Sequence, residues 1–139
     1  MNAYIDTSVL AGVYCSEPDS RRYQDFLQQC TPAISRLTCL EFSSAVAKKF
    51  RMKTFTKTEA TKVIDQFQSH LKHNVFEILP VQEAHFALAN DWIDSFITGL
   101  RALDALHLAL AHANQLALVT ADGVMAKSAK KLGIAVEKI

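Results

Sequence analysis

The chain has 139 residues, a formal net charge of +1, and a composition that is 50% hydrophobic and 21% charged. This balance is typical of one folded domain, residues 1–139, and excludes a disordered or fibrous protein. Charges interrupt every apolar run before it reaches the roughly 20 residues of a membrane span, and we expect no signal peptide. Three cysteines without C-x-x-C spacing favour a cytoplasmic protein over a disulfide framework or a zinc site.

Short apolar runs alternate with helical patterns along the chain. In chain order, the pattern predicts strand Ala3–Ile5, helix Ser20–Gln29, strand Pro32–Ser35, helix Thr38–Phe50, helix Thr56–His73, strand Phe76–Leu79, helix Val81–Phe96, helix Leu103–Ala113, strand Leu116–Thr120, helix Gly123–Leu132 and strand Ala135–Val136. Strands separated by helices predict an α/β fold, with a parallel β-sheet of about five strands flanked by helices on both faces. Such sheets bind ligands beyond the carboxyl ends of their strands.

Asp6 stands directly after the first predicted strand, in AYIDTSVLAG. A carboxylate beside an apolar run is unfavourable unless something pairs with it. One interpretation is structural: Asp6, Thr7 or Ser8 caps a helix that begins near Val9. The other is functional, because Asp6 lies at the end of the sheet where ligands bind.

Asp122 and Glu41 have similar competing interpretations. Asp122 follows the fourth predicted strand in LALVTADG, where Asp-Gly is a turn signal and Asp is suited to cap the next helix. Glu41, in LTCLEFSSAV, has capping-box spacing from Thr38. The helix around Glu41 is largely apolar, so we do not expect its carboxylate to be fully exposed.

Asp104 lies in the most apolar predicted helix, within GLRALDALHLALAHA. Aspartate is rarely buried without a partner. Arg101, one turn earlier, and His107, one turn later, are the candidate partners. A functional role for Asp104 is therefore at least as well supported as a structural one.

Together, the four acids point to a metal site. Two follow strand ends, and two lie on apolar helices that would pack over the same end of the sheet. If they converge, their like charges resist joint ionisation, and a hard cation such as Mg²⁺ or Mn²⁺ relieves this with oxygen ligands. Two ions roughly 3.5–4 Å apart can drive phosphodiester cleavage. The predicted catalytic and metal-binding residues are Asp6, Glu41, Asp104 and Asp122.

Four blocks of the sequence, YIDTSVLAG, LTCLEFSSAV, LRALDALHLALA and LVTADGVMAKSAKKLGI, resemble the PIN-domain nucleases, and among them the VapC-like toxins of toxin–antitoxin pairs. The resemblance spans essentially the whole chain, and the third block is the most specific. It implies a PIN-like fold and a Mg²⁺- or Mn²⁺-dependent endoribonuclease that uses these four acids. It also implies that Ser8 and Thr120 support the metal site, that a cognate antitoxin restrains the enzyme, and that the chain forms a homodimer.

One departure from the family pattern concerns the number of ions. Many relatives place another acid shortly after the last Asp, whereas Gly123, Val124, Met125 and Ala126 follow it here. The resemblance therefore implies one or two ions, with a second position that is weak or filled only when substrate phosphate arrives.

Two basic clusters are candidate RNA contacts. The first interleaves cations with aromatic residues in KKFRMKTFTK, and the second follows Asp122 closely. Such stretches suit phosphate contacts and base stacking, although solvated helix ends are an equal alternative. The candidates are Lys48, Lys49, Arg51 and Lys53 in the first cluster and Lys127, Lys130 and Lys131 in the second.

Two other functions remain open. Asp6 could be the nucleophile of a phosphotransfer or phosphatase-type domain, although Ser8 stands where such phosphatases carry a second Asp. Alternatively, the chain is a catalytically silent PIN-like interaction domain whose acids only cap helices. Metal titration separates these cases, because four unrelated caps would bind no ion in common.

Overall fold

The computed structural model describes all 139 residues as five strands and seven helices. The strands are β1 (Asn2–Ile5), β2 (Thr31–Ser35), β3 (Glu77–Leu79), β4 (Ala117–Thr120) and β5 (Val136–Lys138). The helices are α1 (Thr7–Tyr14), α2 (Ser20–Gln28), α3 (Arg36–Arg51), α4 (Lys57–Lys72), α5 (Glu83–Asp94), α6 (Ala102–Ala113) and α7 (Gly123–Lys131). None of the seven has the length and apolarity that crossing a lipid bilayer requires.

The sheet is parallel throughout, with the strand order β3-β2-β1-β4-β5. Ile5 of β1 lies opposite Val119 of β4, and the Asp6 amide continues this pairing by donating to the Val119 carbonyl at 2.9 Å. Strands β2 and β3 lie on one side of β1, and β4 and β5 lie on the other. The switch point is therefore at the carboxyl ends of β1 and β4, where α/β sheets bind ligands.

Side chains of β1 alternate between two apolar cores. Ala3 and Ile5 belong to a core built with residues of α1, α2, α3 and α4, whereas Tyr4 belongs to a core built with α5, α6 and α7. Because successive side chains of a strand point to opposite faces, the two cores lie on opposite faces of the sheet. This confirms the predicted α/β fold with helices on both faces.

Helix α6 lies in the core that contains Tyr4. All residues from Ala105 to Ala111 are buried, as the almost entirely apolar sequence predicts.

Helix α4 begins with the predicted capping box: the Glu59 amide donates to Thr56 Oγ1 at 3.2 Å, and the Thr56 amide donates to Glu59 Oε1 at 3.0 Å.

Several element ends differ from the prediction by one or two residues, and the differences at α1 and β5 have clear causes. Helix α1 begins at Thr7, immediately after β1, whereas the sequence indicated no more than a helix start near Val9. Strand β5 continues to Lys138, because Glu137 and Lys138 pair with Val119 and Thr120 through backbone groups although their side chains are exposed. Hydrophobic patterning predicted only Ala135–Val136, because it does not detect the exposed end of an edge strand.

Candidate metal and catalytic site

Asp6 lies at the junction of β1 and α1 with only 6% of its surface exposed. Its side chain makes no capping bond to α1. Instead, its Oδ2 atom accepts hydrogen bonds from Ser8 Oγ at 2.9 Å and from Thr120 Oγ1 at 2.7 Å. The capping interpretation of Asp6 is therefore wrong, because both donors are side chains that fix the carboxylate at the switch point.

Ser8 and Thr120 also join the two central strand ends. Ser8 Oγ accepts from the Ala121 amide at 3.1 Å, and Thr120 Oγ1 accepts from the Asp122 amide at 3.0 Å. Each hydroxyl thus donates to Asp6 and accepts from the segment that leads to Asp122. The structure places both residues beside Asp6, where the sequence predicted a supporting role.

Glu41 takes part in a chain of buried hydrogen bonds. Its Oε1 atom accepts from Thr7 Oγ1 at 2.7 Å and contacts His107 Nε2. The capping interpretation with Thr38 is wrong, because α3 starts at Arg36 and Thr38 forms its capping box with Ser35. Burial acts to raise the pKa of Glu41, but the hydrogen bond and charge of His107, together with Thr7, lower it overall.

His107 extends this chain into the sheet. It is fully buried, and its Nδ1 atom lies 2.7 Å from the Tyr4 hydroxyl. Tyr4 in turn lies 2.9 Å from Ser35 Oγ, and burial raises its pKa to about 12, so the hydroxyl stays protonated. Because an ionised Glu41 can only accept, Nε2 carries a proton, and in the neutral ring Nδ1 then accepts from Tyr4.

Asp104 is half-buried in the first turn of α6. Neither predicted partner reaches it: Arg101 forms no ion pair, and both ring nitrogens of His107 are engaged elsewhere. His107 is three residues after Asp104 on α6, so the two side chains leave the helix in directions about 60° apart. The His107 side chain therefore reaches Tyr4 and Glu41. Burial raises the pKa of Asp104, and the charges of Asp6, Asp122 and Glu41 raise it further, against a smaller lowering by His107.

Asp122 does cap a helix. Its Oδ1 atom accepts from the Val124 amide at 2.8 Å and from the Met125 amide at 3.3 Å, at the start of α7. The structural interpretation therefore holds for Asp122 alone among the four acids. Its second oxygen, Oδ2, makes no hydrogen bond to the protein, so a cap and a further role are compatible.

The four acids share one electrostatic environment, because the charges of three of them act on the fourth, Asp104. As the side chains stand, no three Asp, Glu, His or Cys groups lie close enough together to hold one ion. Glu41 is engaged by His107, and Asp122 is engaged by the α7 amides. The all-oxygen donor set and the unrelieved charge on Asp104 nevertheless fit a hard divalent cation.

The first basic cluster lies at the end of α3 and just after it, and the second lies on α7. Lys48 is roughly 10 Å further along α3 than Glu41, at 1.5 Å of rise per residue. Lys49 pairs with Glu17 at 3.3 Å, whereas Lys48, Arg51 and Lys53 are exposed and form no ion pair. In the second cluster, Lys127, Lys130 and Lys131 are exposed on α7, the helix that Asp122 caps.

Sequence reasoning missed the hydrogen-bond partners of Tyr4, Thr7 and His107. His107 gave the clearest signal, because it is the one strongly polar side chain within the buried stretch Ala105–Ala111. Tyr4 looked like an ordinary core residue, since its alternation in β1 carries no information about the partner of its hydroxyl.

A protein-family model described as "PIN domain" matches residues 3–131. The comparison with curated proteins gives no match. Among solved structures, the chain is similar to a chain of VapBC2 from Rickettsia felis bound to a promoter DNA fragment, with 19% identity, a TM-score of 0.72, and coverage of 100% of this chain and 99% of that one.

Two further structures have the same fold. The chain is similar to one in FitAcB from Neisseria gonorrhoeae, with 20% identity, a TM-score of 0.69, and coverage of 98% and 96%. It is also similar to VapC20 of Mycobacterium tuberculosis, described as a sarcin–ricin-loop-cleaving toxin, with 12% identity, a TM-score of 0.70, and 99% coverage of each chain. At these identities the similarity establishes a shared fold.

Proposed function

The chain belongs to the PIN domain family, and on this premise we propose that it is a metal-dependent endoribonuclease and the toxin of a toxin–antitoxin pair. One observation carries the proposal: carboxylates from four separate parts of the chain lie around the switch point, and Asp6, Asp122 and Glu41 raise the pKa of Asp104. Unrelated surface acids would not influence one another in this way. The proposed catalytic and metal-binding residues are Asp6, Glu41, Asp104 and Asp122.

Each acid has a distinct task in this proposal. Asp6 is held by Ser8 and Thr120 through one oxygen, which leaves Oδ1 available. Glu41 is oriented by Thr7 and His107. Asp122 keeps Oδ2 available while Oδ1 caps α7. Asp104 accepts no hydrogen bond from the protein. A bound cation would therefore stabilise the ionised form of Asp104 more than that of the other three acids.

Bound Mg²⁺ or Mn²⁺ would supply an acidified water and neutralise charge on the scissile phosphate. The protein's own contribution is to hold the oxygens at a half-buried site, where electrostatic interactions are stronger than in bulk water. We propose one or two ions, with a weak second position, because no further acid stands within the few residues after Asp122.

The two rival functions are less well supported. In a silent domain whose acids only cap helices, all four would bond to helix amides, but only Asp122 does. A phosphotransfer role for Asp6 gains nothing from its surroundings, since Ser8 donates to Asp6 rather than providing a second acid.

The proposed substrate is RNA, bound in part by the exposed cations of the two basic clusters. VapC20, described as cleaving the sarcin–ricin loop, supports an RNA substrate for this fold. RNA and three unpaired cysteines are both compatible with the cytoplasm, where we place the protein.

The proposed partner is a cognate antitoxin. The similar structures include VapBC2 and a toxin–antitoxin complex from Klebsiella pneumoniae. We propose that the antitoxin places a cationic side chain, preferably Arg, near the four acids. A guanidinium binds carboxylates bidentately and competes with a metal. Co-purification with the product of the neighbouring gene tests the partnership. Inhibition that survives removal of every Arg and Lys from that product's tail would contradict the proposed contact.

We also propose a homodimer, as the family resemblance implies. Exposed apolar side chains on α3 and just after it, at Leu40, Phe50 and Met52, are compatible with such an interface. Sedimentation velocity at micromolar concentration tests this state.

The catalytic proposal is tested by following RNA cleavage in Mg²⁺, in Mn²⁺ and in chelator. Asp6→Asn, Glu41→Gln, Asp104→Asn and Asp122→Asn should each reduce cleavage beyond the roughly 10–100-fold that loss of an outer-shell partner costs. Asp65→Asn, at an exposed position on α4, is the matched control and should remain fully active. Full activity in chelator, or in all four site variants, would exclude the mechanism.

A further inference from the structure

Five residues with positive φ end helices in this protein, and one of them is unusual. Lys53, Asn74, Phe96, Gln115 and Gly133 each follow the C-cap of a helix with φ between 56° and 70°. Such left-handed stops favour Gly or Asn. At φ 58°, Phe96 is the single apolar residue in the set, and a bulky side chain in this conformation is strained.

Phe96 gains no packing in return for that strain. Its surface is 88% exposed, the highest value among the large exposed apolar residues. Residues held in unfavourable backbone conformations without structural benefit tend to mark functional positions. The residue after the C-cap of α5 thus exposes an aromatic ring to solvent.

Three other exposed apolar side chains accompany Phe96. They are Ile97, Leu103 and Val124, and with Phe96 they form what we term the apolar rim. The connection between α5 and α6 lies against α7, because a Cβ atom on Gly99 would be 3.9 Å from Val124 Cγ1. The rim therefore combines residues of this connection with the first turns of α6 and α7.

The rim borders the acid site. Leu103 directly precedes Asp104, and Val124 lies two residues after Asp122. Arg101, in the same connection as Phe96, is exposed, forms no ion pair and makes no side-chain cap on α6. An exposed ring, apolar side chains and an unpaired guanidinium thus lie in the segments that lead into Asp104 and out of Asp122.

We propose that the apolar rim and Arg101 bind one unpaired nucleotide next to the scissile phosphate, with its base stacked on Phe96 and its phosphate contacted by Arg101. This inference rests on the proposed nuclease function and assigns the recognition of one unpaired nucleotide to Phe96 and Arg101. A nucleotide offers both a flat apolar base and a phosphate, which match the ring and the guanidinium.

A second copy of the chain fits this surface less well. Rim-to-rim pairing would bring two sets of the four carboxylates together, and like charges at close range are unfavourable. A metal-loaded site instead attracts phosphate. RNA is therefore the occupant that the charges favour.

The experiment measures binding of a fluorescently labelled eight-nucleotide single-stranded RNA by anisotropy, in Mg²⁺ and in an Asp6→Asn background that blocks cleavage. Phe96→Ala should weaken binding by about 5- to 150-fold, the range for loss of one base–aromatic stack, and Phe96→Trp should restore it. Steady-state cleavage by the protein with all four acids intact should show a raised KM with kcat little changed. Blunt duplex RNA of the same sequence should bind equally with and without Phe96.

Three further variants separate recognition from folding. Phe86→Ala, which removes an exposed Phe elsewhere on α5, should leave RNA binding unchanged. Phe96→Gly should weaken RNA binding while raising the melting temperature by about 2–4 °C, since it relieves the strained stop. Arg101→Gln should reduce the slope of log K against log salt by about 0.7, the value for one single-strand phosphate contact.

The outcomes distinguish this inference from the proposed function. If the protein cleaves RNA and Phe96→Ala binds and cleaves normally, the rim has no role in recognition and the inference is wrong. If RNA binding depends on Phe96 but no cleavage occurs, the rim is supported and the nuclease proposal fails. If the protein with all four acids neither binds nor cleaves RNA, both fail. If Phe96→Ala changes the sedimentation coefficient but not RNA binding, the rim is a protein interface and the inference is overturned.

Discussion

The two halves of the acid site differ in how the protein supports their charges. The inner pair, Asp6 and Glu41, accepts hydrogen bonds from side chains of other residues: Ser8, Thr120, Thr7 and His107. The outer pair, Asp104 and Asp122, receives no side-chain hydrogen bond, although Asp122 accepts from two backbone amides. Side chains of the fold therefore hold both carboxylates of the inner half, whereas in the outer half Asp104 has no hydrogen-bond donor.

Glu41 and Asp104, one from each half, have pKa shifts of opposite sign. Burial opposes ionisation of Glu41, but His107 and Thr7 outweigh it and lower the pKa. Burial and three neighbouring acids raise the pKa of Asp104. This contrast teaches that the fold stabilises charge where it provides donors and leaves a deficit where it does not. That deficit is what a divalent cation would satisfy.

The largest expected effect on stability concerns the inner half. His107→Ala removes the group between Glu41 and Tyr4, takes one hydrogen-bond partner from each and opens a cavity in a buried region. We expect a loss of about 2–5 kcal/mol in the free energy of unfolding, measured by urea denaturation. His112→Ala, at an exposed position on the same helix, should lose less than about 1 kcal/mol. Equal losses in the two variants would mean that the buried network contributes little.

A smaller effect separates the two roles of Asp122. Asp122→Ala removes the α7 cap and should reduce stability by about 1 kcal/mol, whereas Asp122→Asn keeps a good cap and should not. Both variants should lose RNA cleavage, because both remove the carboxylate charge. Thermal melts together with cleavage rates make the comparison. If Asp122→Asn cleaves normally, Asp122 has only its capping role.

The smallest expected effect concerns Asp104 and pH. Because its folded-state pKa is raised above the unfolded value of about 3.9, the metal-free folded protein binds more protons than the unfolded chain between the two values. Stability therefore falls as pH rises through that window. The penalty is absent below it and full above it. Asp104→Asn should abolish this trend and, in chelator at neutral pH, gain stability within the roughly 0.2–1 kcal/mol typical of partly solvated charge pairs.

Glu59 provides the control of opposite sign. Hydrogen bonds from the backbone and side chain of Thr56 lower its pKa, so its contribution to stability is present above the unfolded pKa and is lost as pH falls. Glu59→Gln should therefore give no gain in stability at neutral pH. Parallel unfolding curves at mildly acidic and neutral pH compare the two variants. A gain of equal size in both would show that the Asp104 effect is not specific to the site.

The fold and the positions of the four acids could be predicted because they depend on local patterns. Alternating strands and helices define a parallel sheet, and Asp6 and Asp122 follow strands whose carboxyl ends must meet at one edge. The apolar character of α6 predicted the burial around Asp104. These patterns need no knowledge of side-chain direction.

The hydrogen-bond partners of Glu41 and His107 could not be predicted, because they depend on the directions in which these side chains leave α3 and α6. A capping box for Glu41 required a helix start at Thr38, but Ser35 and Thr38 made the cap and moved the start to Arg36. His107 lies one turn after Asp104 on α6 and was expected to contact it. Instead, His107 forms hydrogen bonds with Tyr4 and Glu41, which are distant in sequence. Hydrogen bonds between residues tens of positions apart leave no periodic signal.

Binding of Mn²⁺ by the metal-free protein, followed by electron paramagnetic resonance, tests most directly whether the two halves form one site. If they do, the unmodified protein binds the ion, and Asp6→Asn and Asp104→Asn, one from each half, each lose at least about tenfold in affinity. Asp65→Asn on α4 should bind as the unmodified protein does. If Asp6→Asn and Asp104→Asn both bind Mn²⁺ with undiminished affinity, or if the unmodified protein binds none, the four acids do not share an ion and the proposed nuclease site is wrong.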